Sequence, residues 1–181
     1  MPVRTLRDII RHGAEAYGSQ TAFRYKVKKE IVDRTYLDVD RDSMAVSRMV
    51  ESMGMEGKHI ALIGTTTYQW IMSYFGIVGS GSVAVPIDAQ LPADAVCELL
   101  ERADVEMLVF DEIRRDVAEA VKEKCPSVRY ILSMQAEEAA DGVQSLSMLT
   151  ALHAGEYEKE LDGGQLATIL FTSGTTGKSK G

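Results

Sequence analysis

Residues 171–181 read Phe-Thr-Ser-Gly-Thr-Thr-Gly-Lys-Ser-Lys-Gly. A phosphate binder needs converging donors, positive charge and backbone that can approach closely. Gly174, Gly177 and Gly181 carry no β-carbon to obstruct that approach. Thr172, Ser173, Thr175, Thr176 and Ser179 supply hydroxyls, and Lys178 and Lys180 supply ammonium charge. No carboxylate side chain follows Asp162, so an acidic chain turns cationic where this loop sits. Gly177-Lys178-Ser179 imitates the end of a Walker A motif, but that motif needs a further glycine where Thr172 stands. The spacing therefore excludes the P-loop NTPase reading. Two readings remain at the level of residues: a phosphate-gripping loop, or a polar surface turn. The apolar run Leu166–Phe171 entering the loop favours the first.

A loop of this kind needs a rigid support. From Ile60 onward, apolar runs of strand length alternate with helical periodicity. His59–Gly64, Ser82–Asp88, Val105–Phe110, Val128–Leu132 and Gln165–Phe171 read as strands. The intervening helices carry Ile71, Tyr74, Phe75 and Val78, then Val96, Leu99, Leu100 and Ala103, then Ile113, Val117, Val121 and Lys124 in phase. Pro86 closes the second of these strands, Pro92 stands at a helix start, and a short helix is expected near Leu146. Such alternation predicts an α/β fold with a largely parallel sheet flanked by helices. Ahead of it, Leu6, Ile9, Ile10, Ala14 and Tyr17 share a helical face, with Thr5 and Asp8 spaced as a capping box. Thr21–Val27 and Glu30–Tyr36 form a short strand pair around a lysine turn. Val46, Met49, Val50 and Met53 mark a further helix, and its methionines read as core filler.

At 181 residues, residues 1–181 are one domain by default. A net charge of −7 argues against broad nucleic-acid or membrane-surface binding, which needs a basic patch, but does not exclude a local anion site. Cys97 and Cys125 are far apart in sequence and imply neither a disulfide framework nor a zinc site. No run is long enough for a signal peptide or membrane span, so the cytoplasm is the expected location. His12, His59 and His153 are isolated, Tyr68 and Trp70 read as packing residues, and Asp111-Glu112 and Glu137-Glu138 as solvated charge.

The run Thr172–Gly181 resembles the phosphate-binding signature of the adenylate-forming (AMP-binding) superfamily, Thr-Ser-Gly-Thr-Thr-Gly-x-Pro-Lys-Gly, with Ser179 in place of proline. The region from Arg34 to Phe110 is similar to the N-terminal part of the same enzymes, above all bacterial long-chain fatty-acid–CoA ligases. Where relatives commonly have Glu-Asn-Ser, this chain has Thr65-Thr66-Thr67. The resemblance implies part of the large N-terminal domain of an adenylate-forming enzyme, cut just past its phosphate loop, so this fragment alone should have no turnover. For the parent it implies ATP, Mg2+, coenzyme A and a fatty acid or other carboxylate: the acid is adenylated, then transferred to the thiol. Thr172, Ser173, Thr175 and Thr176 would offer hydroxyl or amide contacts to phosphate. Gly174 and Gly177 would permit closeness, and Lys180 would pair with phosphate oxygen as the candidate catalytic group, Lys178 having the weaker claim. The alternative is a non-enzymatic α/β module that binds a phosphate ligand or scaffolds a partner. A cut sheet would also expose apolar surface and favour self-association.

Overall fold

The computed structural model describes residues 3–153 and 157–172. Helix α1 (Leu6–Tyr17) starts at a capping box: the Thr5 hydroxyl accepts the Asp8 N–H, and Asp8 accepts the Thr5 N–H. It ends at Gly18, in the left-handed region (φ 49°). Strands β1 (Thr21–Val27) and β2 (Glu30–Thr35) pair antiparallel. Phe23 and Tyr25 seat this hairpin on Tyr68, with ring centroids 5.8 and 5.7 Å away.

Helix α2 (Tyr36–Ser52) begins well before the apolar stripe at Val46, and Tyr36 belongs to it rather than to β2. The cause is a second capping box, in which Thr35 and Asp38 exchange backbone N–H bonds. Strand β3 (His59–Ile63) leads to α3 (Tyr68–Gly79), β4 (Val83–Ile87), α4 (Ala93–Arg102) and β5 (Val105–Phe110). Then follow a 3-10 turn (Glu112–Arg114), α5 (Arg115–Lys124), β6 (Tyr130–Ser133), the two-residue β7 (Gln144–Ser145) and α6 (Leu146–Leu152). Strands β3 to β7 form one parallel sheet in the order β4-β3-β5-β6-β7. The expected parallel sheet, flanking helices and separate strand pair are all present.

Two cores lie on opposite faces of this sheet. One joins Ile63, Val85 and Phe110 to Leu100 of α4 and Val117 of α5. The other joins Ile60, Leu62 and Val109 to Met49 and Val50 of α2 and Ile77 of α3, with Met55, Met107 and Met134 filling it. No methionine belongs to the first cluster among the described residues. Helix α3 can approach α2 this closely because residue 76 is glycine; a β-carbon there would overlap Val46.

Three expectations change. Ile113 is 65% exposed, because the 3-10 turn rotates it out of the phase of α5, and Arg114 is buried instead. Arg114 gains a bidentate pair with Asp116 at 2.9 Å and donates to the Ala89 carbonyl at 2.6 Å. Lys124 is exposed and pairs with Asp94 rather than lying on the apolar face. The run Gln165–Phe171 is not a full strand; it touches the sheet in a single parallel bridge, Ala84 to Thr168.

Two measurements check this packing. Replacing a helical glycine by alanine alone gains about 1 kcal/mol. Overlap with Val46 and the Ser43 carbonyl opposes that gain with about 1–3 kcal/mol of overpacking. Gly76→Ala is thus expected to lower stability in urea unfolding by about 1 kcal/mol, and a more stable variant would contradict this packing. In acid, backbone N–H bonds hold the Asp8 and Asp38 carboxyls below 3.8, and a Lys58 bond holds Glu106 below 4.5. Their stabilisation is present above those ordinary values and lost as pH falls through the lowered ones. Asp40 opposes them, because burial raises its carboxyl and its ionisation costs stability as pH rises. The urea midpoint should fall as pH drops below about 4, and Asp38→Asn should flatten that slope.

Candidate functional site

The segment 167–171 joins the edge of the sheet beside β4. The Ala84 N–H donates to the Ala167 carbonyl, and the Ile169 N–H donates to the Ala84 carbonyl, both at 3.0 Å. Ile169 and Phe171 pack into the α4–α5 core, while the Thr168 hydroxyl meets the Tyr74 hydroxyl at 2.8 Å on the α3 side. The bridge is parallel, so the chain leaves it towards the carboxyl end of β4. Outward-facing residues of β4 alternate, which makes residue 86 the next donor along this edge. Residue 86 is proline and has no N–H to offer the Ile169 carbonyl. Pro86 thus withholds the donor that would extend this pairing past Ala84 among the described residues. Pro86 itself does not close β4, which continues to Ile87.

Thr172, the first predicted phosphate contact, is exposed. Ser173, Gly174, Thr175, Thr176, Gly177 and Lys180 lie outside the described residues, as does Lys178.

The carboxyl end of the sheet also holds the turns after β3 and β5. The strand order places its reversal between these two, where α/β sheets open a crevice for ligands. Gly64 adopts φ 141°, and a β-carbon there would overlap that of Asp111. Asp111 is buried, contrary to the expectation of solvated charge. Its carboxylate accepts the Thr65 N–H at 3.3 Å and the Ile113 N–H at 3.2 Å, fastening the two turns together. Sequence reasoning missed it, although a single acid directly after an apolar strand is a usable signal. Glu112 is likewise engaged, by Arg115 and the Ser133 hydroxyl. Glu137 and Glu138 are exposed as expected. Thr67 caps α3 by accepting the Trp70 N–H, which leaves Thr65 and Thr66 exposed at this end.

Tyr68 and Trp70 pack as expected, and the buried Tyr68 phenol donates to Asp42 at 2.8 Å. Burial first, and then Asp42, hold that phenol well above its ordinary range. His59 meets the Ala103 carbonyl, and His153 meets the Ser52 hydroxyl.

A broad concavity of about 840 Å3 opens at the amino end of the sheet, between α4 and the end of α5. Asp94, Glu98, Glu101, Asp104 and Glu106 face it against Lys124, a charge balance that repels phosphate. Cys97 and Cys125 meet there as free thiols despite their separation in sequence. Burial, and then the Cys97 contact, push the Cys125 thiol up to about 12, so it supplies no thiolate nucleophile near neutral pH. Among the described residues, no group of three His, Cys, Asp or Glu could hold a metal ion, and no helix is long and apolar enough to cross a membrane.

The family model for AMP-binding enzymes matches residues 10–181, and the chain belongs to that family. It is 29% identical over 176 residues to a crotonobetaine/carnitine–CoA ligase of Salmonella paratyphi A, covering 93% of this chain and 34% of that protein. A relative of the same description from Escherichia coli is 27% identical over 180 residues, with the same coverage. The chain thus spans about one third of the length of these curated relatives. Among solved structures it matches the anthranilate CoA ligase AuaEII in complex with anthranoyl-AMP, with a TM-score of 0.87 and 20% identity over 97% of this chain and 33% of that one. It also matches the N-terminal domain of FACL13 from Mycobacterium tuberculosis, with a TM-score of 0.85 and 21% identity over 98% of this chain and 43% of that one. These likenesses establish the fold of the N-terminal domain of adenylate-forming CoA ligases.

Pro86→Val restores the missing donor. The new amide at position 86 should become protected in hydrogen exchange through the Ile169 carbonyl, and Phe171 should exchange more slowly. Exchange of that new amide at the rate of an exposed one would contradict the edge pairing.

Proposed function

We propose that this chain supplies the pyrophosphate-gripping part of an acid–CoA ligase that works through an acyl-adenylate. The observation that carries this reading is the parallel seating of residues 167–169 on β4. It directs the chain at Thr172 towards the end of the sheet where the β3 and β5 turns meet. In the reaction, a carboxylate oxygen attacks the α-phosphorus of ATP and pyrophosphate leaves. The sulfur of coenzyme A then attacks the acyl carbon, loses its proton, and AMP departs. The loop's part is the first departure: hydroxyls and amides of Thr172, Ser173, Thr175 and Thr176 and the ammonium of Lys180 meet charge that grows on the leaving group. Gly174 and Gly177 let the backbone close on it. Mg2+ supplies charge neutralisation at the phosphates when bound, and the described residues offer it no ligand cluster. The acid is a long-chain fatty acid on the subgroup resemblance, and the two free thiols suit a reducing cytoplasm. Residues 1–181 serve as one subdomain of the adenylation domain and have no turnover alone. Leu170, 61% exposed beside the sheet edge, favours self-association of the isolated piece.

The test is ATP–pyrophosphate exchange by the full-length protein, with long-chain fatty acids, carnitine, crotonobetaine and anthranilate as candidate acids. Acid-dependent exchange is expected, and Lys180→Ala should lower it roughly a hundredfold. An unchanged rate in that variant removes Lys180 from its role. ATP binding without exchange on any acid would favour the non-enzymatic module.

A further inference from the structure

The β1–β2 hairpin points a basic, apolar tip away from an acidic body. Its turn is Lys28-Lys29, set by the pairings Val27 to Glu30 and Lys26 to Ile31. Three lysines and one glutamate fall within residues 26–31, in a chain of net charge −7. Among the described residues, Lys26, Lys28 and Lys29 form no ion pair, whereas Arg24 further down the hairpin is paired with Asp33 at 2.7 Å. Val27 is 47% exposed and Ile31 is 71% exposed. The pairing register puts these two on opposite faces of the hairpin, so the tip is apolar on both sides. Both lie beyond the Tyr25–Val32 pair, the last partly buried residues before the tip. Lys28 sits at φ 54°, in a two-residue turn whose left-handed position ordinarily takes glycine, asparagine or aspartate. A lysine kept there adds charge at the cost of backbone strain.

We propose that this tip docks the protein on an anionic lipid surface. Val27 and Ile31 enter the headgroup layer as a wedge, and Lys26, Lys28 and Lys29 meet lipid phosphates around it. Charge selects the lipid and the orientation. A negative membrane attracts the lysines and repels the rest of the acidic body, so the tip is the part that can approach. Two apolar side chains are a small anchor, and binding must therefore be weak, reversible and salt-dependent. The proposal does not rest on the ligase reading. The acidic net charge argues against broad membrane-surface binding and leaves room for a basic patch that is local.

Co-sedimentation of the full chain with vesicles tests it. Vesicles containing phosphatidylglycerol should bind the protein, vesicles of phosphatidylcholine alone should not, and added sodium chloride should release it. Lys28→Gln with Lys29→Gln should weaken binding roughly tenfold or more, and Ile31→Ser should weaken it at unchanged charge. Lys28→Gly is the decisive variant: it relieves the strained turn, so the thermal midpoint should hold or rise while vesicle binding falls. No binding to phosphatidylglycerol vesicles, equal binding to both compositions, or full binding by the lysine variants would overturn the proposal. So would capture by soluble polyglutamate without capture by vesicles, which would mark the tip as a site for an acidic protein.

Discussion

Asp111 can stand at the end of β5 only because residue 64, at the end of β3, has no side chain. Its buried carboxylate then takes N–H groups from both turns, Thr65 on one side and Ile113 on the other. These two bonds stand in for the hydration that burial strips from the carboxylate, and an unpaired acid in that position would be far more costly. The turn after β3 is thereby fixed, and so is the start of α3, whose Thr67 cap follows directly. Helix α3 in turn carries Tyr74, which holds Thr168 and with it the segment leading to the glycine-rich run. One close approach between two strand ends thus governs the placement of the edge segment on the far side of β4.

Much of this was legible because apolar periodicity reports burial directly. The runs Ile60–Ile63 and Met107–Phe110 are covered on both faces and read as continuous apolar stretches. The Thr5–Asp8 box was visible as a spacing, and the same spacing at Thr35–Asp38 would have moved the start of α2 to its true place. What periodicity could not see was tertiary. Ile113 fits the phase of α5, but the bonds from Asp111 and the pull on Arg114 tighten the chain into a 3-10 turn first. The last strand reads as apolar and extended, yet strand length depends on the neighbour's donors, and Pro86 withholds one. Cys97 and Cys125 meet because α4 packs on α5, which no spacing reveals. Of the site, the residue types of Thr172–Lys180 were legible, and the direction in which Thr172 leaves the sheet had to come from the bridge to Ala84.

The same separation explains why family and substrate differ in legibility. Structures described as an anthranilate CoA ligase and as a fatty acyl CoA synthetase both superpose on this chain, with TM-scores of 0.87 and 0.82. Two proteins named for such different acids share this backbone arrangement, so the likeness is one of fold and carries no acid preference.

The two faces of the sheet differ in their methionine content. The α4–α5 side is filled by branched aliphatics and Phe110, whose shapes allow few rotamers. The α2–α3 side adds Met49, Met55, Met107 and Met134 to its branched aliphatics, unbranched chains that re-pack around a change in shape. Ile169 and Phe171 are seated on the α4–α5 side. Over evolutionary time, substitutions can therefore accumulate beneath the α2–α3 layer and be absorbed there as side-chain rearrangement, while the footing of the glycine-rich run keeps its place.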